Sequence, residues 1–294
     1  MSGINQFLMQ LINGLKIGSI YALIALGYTM VYGIAKLINF AHGDIIMVGA
    51  YVSLLCLNSG MPWFIACIVS ILACAVFGVV MEKLAYKPLR KASRISLLIT
   101  AIGVSYLLEN AFQLIFSANP KPYPGFITLP AIKIGSVSIA ANYYVTFIVS
   151  VVLMIVLNLF VQKTNMGKAM RAVSEDEGAA RLMGINVDNT ISLTFAIGSA
   201  LAAIAGILYS NCYSPINPFM GSLPGIKAFI AAVLGGIGSI PGAVLGGFIL
   251  GMIETMVKAY ISSQLLDSIV FTILILMLAL KPSGILGKSV KEKV

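Results

Sequence analysis

Of 294 residues, 59% are hydrophobic and only 10% charged, and the mean hydropathy is +0.99. A soluble domain carries roughly a quarter charged residues, so an ordinary soluble enzyme and a disordered chain are both excluded and an all-α polytopic membrane protein remains. Lys plus Arg outnumber Asp plus Glu by 19 to 10, a net charge of +9; in a membrane protein that excess marks one side of the bilayer, and no nucleic-acid partner is needed to explain it.

A spanning helix needs about 20 apolar residues. In chain order the runs are 8–33, 37–58, 62–86, 95–117, 142–162, 189–211, 219–238, 241–260 and 263–281, which predicts eight or nine transmembrane helices in a single transmembrane domain over 1–294. Ser59-Gly60 and Pro62 separate the second run from the third, and Pro88 with Arg90, Lys91 and Arg94 ends the third. Pro120, Pro122, Pro124 and Pro130 keep the next connection out of helix and in water. Pro215, Pro218 and Pro224 break the chain after the sixth run, and Gly238 to Gly242 turns it between the seventh and eighth. The runs at 37–58 and 219–238 are the weakest, interrupted by His42 and Asp44 and by Pro224 and Lys227, and read either as spans or as short, broken helices.

Cations set the orientation. Lys83, Lys87, Arg90, Lys91 and Arg94 flank one connection, Lys163, Lys168, Arg171 and Arg181 another, and Lys281, Lys288, Lys291 and Lys293 fill the tail. The positive-inside rule makes these cytoplasmic. The N-terminus then lies outside, the C-terminus inside, and the first and sixth runs cross in opposite directions. Gly18-Ser19 with Ala22, Ile24 and Ala25 parallels Gly198-Ser199 with Ala202, Ile204 and Ala205, the pattern of an inverted internal repeat. The N-terminus has neither the basic segment nor the cleavage site of a removable signal peptide.

The long polar segment 163–189 predicts a short helix at about 175–183, opened by a capping box from Ser174 to Glu177 and closed by Gly184. It reads either as an amphipathic interfacial helix or as a docking element. Within the membrane, Asn39, His42, Gly43 and Asp44 suggest a helix break exposing backbone donors to a zwitterionic substrate. The alternative is structural, with Asp44 capping its helix or pairing with Lys36. Glu109, Asn110 and Gln113 line a polar path or bond between helices, and Glu254 with Lys258 forms an i,i+4 pair. Lys227 reads as a lone cation that attracts a carboxylate or snorkels. Gly235, Gly236 and Gly238 open a small-residue track suited to close packing or to a pathway. Cys56, Cys67, Cys74 and Cys212 form no C-x-x-C pair and are read as buried thiols; beside one histidine they leave no zinc set, and no metal site is expected. Pro282-Ser283-Gly284-Ile285-Leu286-Gly287-Lys288-Ser289 imitates a phosphate-binding loop but has Pro at the first Gly position and follows an apolar helix. No nucleotide site and no catalytic constellation is expected, so the chain is not read as an enzyme.

The chain resembles the permease subunits of branched-chain amino-acid ABC transporters, the LivH type, over nearly its whole length. The resemblance rests on Gly18-Ser19-Ile20-Tyr21-Ala22-Leu23, Asn39-Phe40-Ala41-His42-Gly43-Asp44, the stretch 167–185, Leu234-Gly235-Gly236-Ile237-Gly238-Ser239 with Pro241-Gly242, and Pro282-Ser283-Gly284-Ile285-Leu286-Gly287. It implies half of an importer pathway for Leu, Ile and Val in a bacterial or archaeal cytoplasmic membrane. The implied partners are a second, similar permease, two cytoplasmic ATPase subunits that carry the ATP and Mg, and an extracytoplasmic substrate-binding protein. It further implies that 163–189 is the ATPase-coupling loop, with Gly167, Arg171, Glu175, Asp176, Glu177, Ala179, Ala180 and Gly184 as its residues. The family's Glu-Ala-Ala-x-x-x-Gly pattern has Gly178 here in place of the acid, with Glu177 before it. Similar permeases carry urea, short amides or other amino acids, and a secondary transporter driven by an ion gradient is the more distant alternative.

Overall fold

The computed structural model describes residues 3–90, 92–134 and 137–287. Lys91 and the tail cations Lys288, Lys291 and Lys293, with Ser289 of the phosphate-loop imitation, lie outside the described residues. All nine apolar runs are helical. They form α1 (Gly3–Ala35), α2 (His42–Asn58), α3 (Trp63–Met81), α4 (Arg94–Phe116), α5 (Ala141–Lys163), α8 (Val187–Cys212), α9 (Ser222–Gly235), α10 (Ile240–Tyr260) and α11 (Leu266–Leu280), with α6 (Asn165–Glu175) and α7 (Glu177–Leu182) between α5 and α8. Six of the nine are long and apolar enough to cross a membrane; α2, α9 and α11 are shorter. The expected runs 37–58 and 219–238 lose their leading residues because 36–41 and 213–221 are unwound.

Polar residues start many helices. Ser93 accepts from the Ser96 amide, Asn186 from Asn189 and Ser239 from Gly242, each satisfying an amide that the helix itself leaves unpaired. Pro62 precedes α3. The chain then leaves α3 through a π-helical turn, Glu82–Tyr86, and a 3-10 turn, Lys87–Leu89.

Packing is reciprocal between the two halves. α1 packs on α10 and α8 packs on α3; α2 packs on α8 and α9 on α1; α2 lies on α3 and α9 on α10. α1 and α8 also touch each other and run antiparallel: Gly27 of α1 meets Gly198 of α8, while Lys16, nearer the start of α1, lies 4.7 Å from the Tyr213 ring beyond the end of α8. This is the geometry of an inverted repeat. The α1–α10 contact depends on glycine, because a Cβ on Gly247 would sit 2.5 Å from the Ala22 Cα. Small residues that let backbones approach are the usual basis of helix association in lipid, where apolar burial gives no driving force.

The buried core is α1, α2, α8 and α9. α3, α4, α5 and α11 present large apolar side chains outward, among them Leu72, Val76, Ile99, Ile155 and Ile275, as a lipid-facing shell must. The proline-rich connection after α4 carries a small antiparallel hairpin, β1 (Ile132–Ile134) with β2 (Val137–Ile139), which the prolines gave no reason to expect. It is tied down by an antiparallel bridge between Lys121 and Ile216, by the Tyr123 amide on Ser214 Oγ (3.0 Å), and by a 2.9 Å bond between the Tyr123 and Ser53 hydroxyls. Burial pushes the Tyr123 hydroxyl up to about 12, so it remains protonated at neutral pH.

Candidate functional site

Each half contributes one helix that begins inside the bundle, and the two beginnings meet. Gly43 in the first turn of α2 packs on Gly221 and Gly225 at the start of α9: a Cβ on Gly43 would lie 2.8 Å from the Gly221 carbonyl oxygen, and one on Gly225 would lie 2.7 Å from the Gly43 Cα. Both positive helix ends therefore converge on one point. Around it stand Tyr28, whose ring meets His42 edge-on at 4.7 Å and Phe229 at 5.9 Å, and Phe40, 5.5 Å from Phe229. The backbones touch, leaving no space between the two helix starts.

The structure gathers Asn39, His42, Gly43 and Asp44 here, all buried. Asn39 Oδ1 accepts from the Tyr86 hydroxyl at 2.6 Å. His42 Nε2 lies against Gly27, where α1 crosses α8, without a hydrogen-bond partner. Asp44 faces Ser105 and Glu109 of α4, and its Oδ2 has no partner. No ion pair joins it to Lys36, which is exposed at the end of α1. Asn110 bonds back to the Tyr106 carbonyl of its own helix at 2.7 Å.

Gly235, Gly236 and Gly238 are placed elsewhere. α9 separates them from the junction by about 20 Å at 1.5 Å per residue. Gly235 packs on the start of α10, Gly236 on the tail and Gly238 near Gly33 of α1; the Ile285 and Leu286 amides donate to the Leu234 and Gly235 carbonyls, both at 2.9 Å. Gly236, at φ 106, occupies backbone space closed to other residues.

Lys227 is not alone. It lies 3.1 Å from Glu254 and 3.0 Å from Asp267. Glu254 also accepts from the Tyr21 hydroxyl at 2.6 Å. The expected Glu254–Lys258 pair is therefore corrected: both oxygens of Glu254 are engaged across helices, by α1 and α9. Lys16 sits over the rings of Tyr143 and Tyr213, at 4.1 and 4.7 Å. An apolar cavity of about 450 Å³ lies between α3, α5 and α8 under Phe126. Among the described residues no three of His, Cys, Asp and Glu gather as a metal site would require.

On the face that carries the cation clusters, the 163–189 segment differs from its expectation. It holds two helices rather than one. Thr164 caps α6 by accepting from the Gly167 amide at 3.0 Å, and Asp176, not Ser174, caps α7 by accepting from Ala179 at 2.9 Å. The Ser174 hydroxyl instead donates to the Arg171 carbonyl, so the capping box at Ser174 does not form. The competing cap two residues inside the predicted box is the physical reason: an Asp in extended backbone breaks the helix at 176. Gly167 lets α6 fold back on the end of α5, with Met170 and Val173 buried beneath it. Arg171, Glu175, Glu177 and Ala179 are exposed, whereas Ala180 is 3% exposed. The tip is apolar and open: Leu182 is 91% and Met183 83% exposed, just before Gly184 reverses the chain at φ 79.

Sequence reading missed one cluster. Arg90 binds both Glu82 and Asp188, the latter at 2.7 Å; Lys87 joins Asp188 at 2.8 Å, and Ser192 donates to Glu82 at 2.6 Å. In the sequence Lys87 and Arg90 read only as topology signals; Glu82 is close by in the chain, but Asp188, which joins both cations, lies on another helix far along it.

The profile of the branched-chain amino acid transport system / permease component family matches residues 10–279. LivH of Salmonella typhimurium, the permease protein of a high-affinity branched-chain amino acid transport system, is 44% identical, covering 98% of each chain. BraD of Pseudomonas aeruginosa, described in the same terms, is 44% identical over 100% of both. A probable LivH of Methanocaldococcus jannaschii is 31% identical over 93% of this chain and 90% of its own. Among solved structures, PsaBC from Streptococcus pneumoniae, in complex with Fab, aligns over 92% of this chain and 91% of its own, with a TM-score of 0.50 at 14% identity, a likeness of fold. A multi-pass chain of broken and spanning helices, matched nearly end to end by permeases, belongs to the branched-chain amino acid transport permease family.

Proposed function

We propose that the protein forms half of the membrane pathway of an ATP-binding-cassette importer for Leu, Ile and Val, working by ATP-driven alternating access. The other half is a second, similar permease. Two cytoplasmic ATPase subunits bind ATP and Mg and dock on α6–α7, and an extracytoplasmic binding protein delivers substrate to the outer connections 118–141 and 213–221. The N-terminus lies outside and the C-terminus in the cytoplasm.

The observation that carries this reading is the tip of α7. An exposed Leu182-Met183 pair on a capped, folded-back hairpin, on the cation-rich side, is the kind of apolar surface that a docking partner covers. Glu175, Asp176 and Glu177 border it with the charge that a basic groove would accept. The α2–α9 junction supports the pathway, with Asn39, His42, Gly43 and Asp44 at the break and Glu109 beside it; when the glycine contact parts, two helix N-termini are exposed to a substrate carboxylate. Gly235, Gly236 and Gly238 serve by holding the cytoplasmic end of α9.

Proteoliposomes holding this chain with its partner permease, ATPase subunits and receptor test the proposal. Uptake of Leu, Ile and Val that requires ATP is expected. Uptake driven by an ion gradient without ATP overturns it, and uptake of urea or amides in place of these amino acids overturns the substrate assignment.

A further inference from the structure

Between α3 and α4 the backbone widens into the π-helical turn Glu82–Tyr86, a form that appears mostly as single turns and frequently at functional sites. Its two ends are buried and held by different parts of the molecule. Glu82 accepts from Ser192 Oγ at 2.6 Å and binds Arg90, which bonds Asp188 at 2.7 Å. Asp188 stands in the first turn of α8, just after the short link from α7, and Arg181 of α7 lies 4.0 Å from the same carboxylate. At the other end the Tyr86 hydroxyl donates to Asn39 Oδ1 at 2.6 Å, and its ring lies 5.5 Å from that of Phe195. Asn39 belongs to the unwound stretch before α2, and its carbonyl accepts from the His42 amide at 3.1 Å. A continuous set of short contacts thus joins the exposed α7 tip to the residue ahead of the Gly43–Gly221 junction.

We propose that the π-turn carries displacement of α7 to the unwound stretch 36–41, with Tyr86 as the positioning residue that makes Asn39 follow; this rests on the docking role of α7 given above. The short link means that α7 cannot move without Asp188. Arg90 follows through its charge-assisted bond to the partly exposed Asp188, and Glu82 follows Arg90, because separating that buried pair leaves an uncompensated charge. Tyr86 sits at the far end of that turn, fully buried. A move that left Asn39 behind would orphan its hydroxyl, and an unmade buried hydrogen bond costs more than a shared displacement. The rival route is α8 itself, as a rigid rod from Asp188 to Gly198 at the α1 crossing. That route bypasses Tyr86.

The test uses the assembled complex in proteoliposomes and reads substrate moved per ATP hydrolysed. Tyr86→Phe keeps the ring against Phe195 and removes only the hydroxyl. It is expected to lower the ratio about five- to tenfold, the scale of one buried hydrogen bond, with the ATPase subunits still bound. Asn39→Ala is expected to do the same, and the double variant to be no worse than either single one. A wild-type ratio in Tyr86→Phe, or losses that multiply in the double variant, overturns the inference in favour of the α8 rod. A measurement on the wild-type complex decides the matter should a variant not fold. Trapping the ATP-bound state must change amide exchange in 36–41 and 82–90 together, and unchanged exchange in 36–41 overturns the inference. If the ATPase subunits do not associate with the wild-type chain at all, the docking reading fails and takes this inference with it; association with an unaltered Tyr86→Phe ratio fails the inference alone.

Discussion

At Lys227, one side chain ties three helices to its own: it pairs with the carboxylates of Glu254 on α10 and Asp267 on α11 and, through Glu254, reaches the Tyr21 hydroxyl of α1. In lipid such a group is tolerated only when paired. Lys227→Met is therefore expected to cost about 3 kcal/mol, the lower end for breaking a buried pair, read as a loss of thermal stability of the purified protein in detergent. Lys258→Met, whose expected pairing with Glu254 does not occur, should leave stability nearly unchanged in the same assay. At the α7 tip, Leu182→Asp combined with Met183→Asp should abolish co-purification of the ATPase subunits while membrane insertion proceeds. Ala180 is the wrong place for that experiment although the family pattern points to it: its side chain faces inward, so Ala180→Glu would unseat α7 rather than alter its exposed face.

Among the elements, the two that matter most are those the chain interrupts. Hydropathy marks 37–58 and 219–238 as apolar with polar intrusions, and the polar intrusions are where helix gives way to the unwound 36–41 and 213–221. That much was legible, because Pro218, Asn39 and Lys36 bear on local backbone choices. That the two broken ends meet at Gly43 and Gly221 was not, since nothing local to either glycine specifies its partner. The coupling loop shows the same division. Its helical content followed from composition, but the choice between Ser174 and Asp176 as cap depended on whether α6 packs on α5, which Gly167, Met170 and Val173 settle by burial. Asp176→Ala is expected to cost α7 about 1 kcal/mol, the worth of one N-cap, measured as faster amide exchange over 177–182. Gly247→Val, by driving a side chain into the Ala22 backbone, should separate α1 from α10 and prevent a stable fold, seen as failure to recover monodisperse protein.

For the whole molecule, charge predicts the orientation and packing decides the architecture. In a variant lacking the four native cysteines, Lys133→Cys should react with an impermeant maleimide from outside intact cells, and Lys168→Cys only after the membrane is opened. The opposite pattern would reverse the topology and remove the α7 tip from the cytoplasm. The sequence by itself determined the bilayer as solvent, the nine helical runs, the cation-rich face and the family, because hydropathy, charge and turn residues act over distances of a few positions. Tertiary structure alone decided which helix ends meet, which acids hold Lys227 and Arg90, and that Tyr86 reaches Asn39. Apart from Glu82, which is close to Arg90 in the chain, those partners lie tens of residues apart or more, and only the packing of close-approaching glycine faces brings them within bonding range.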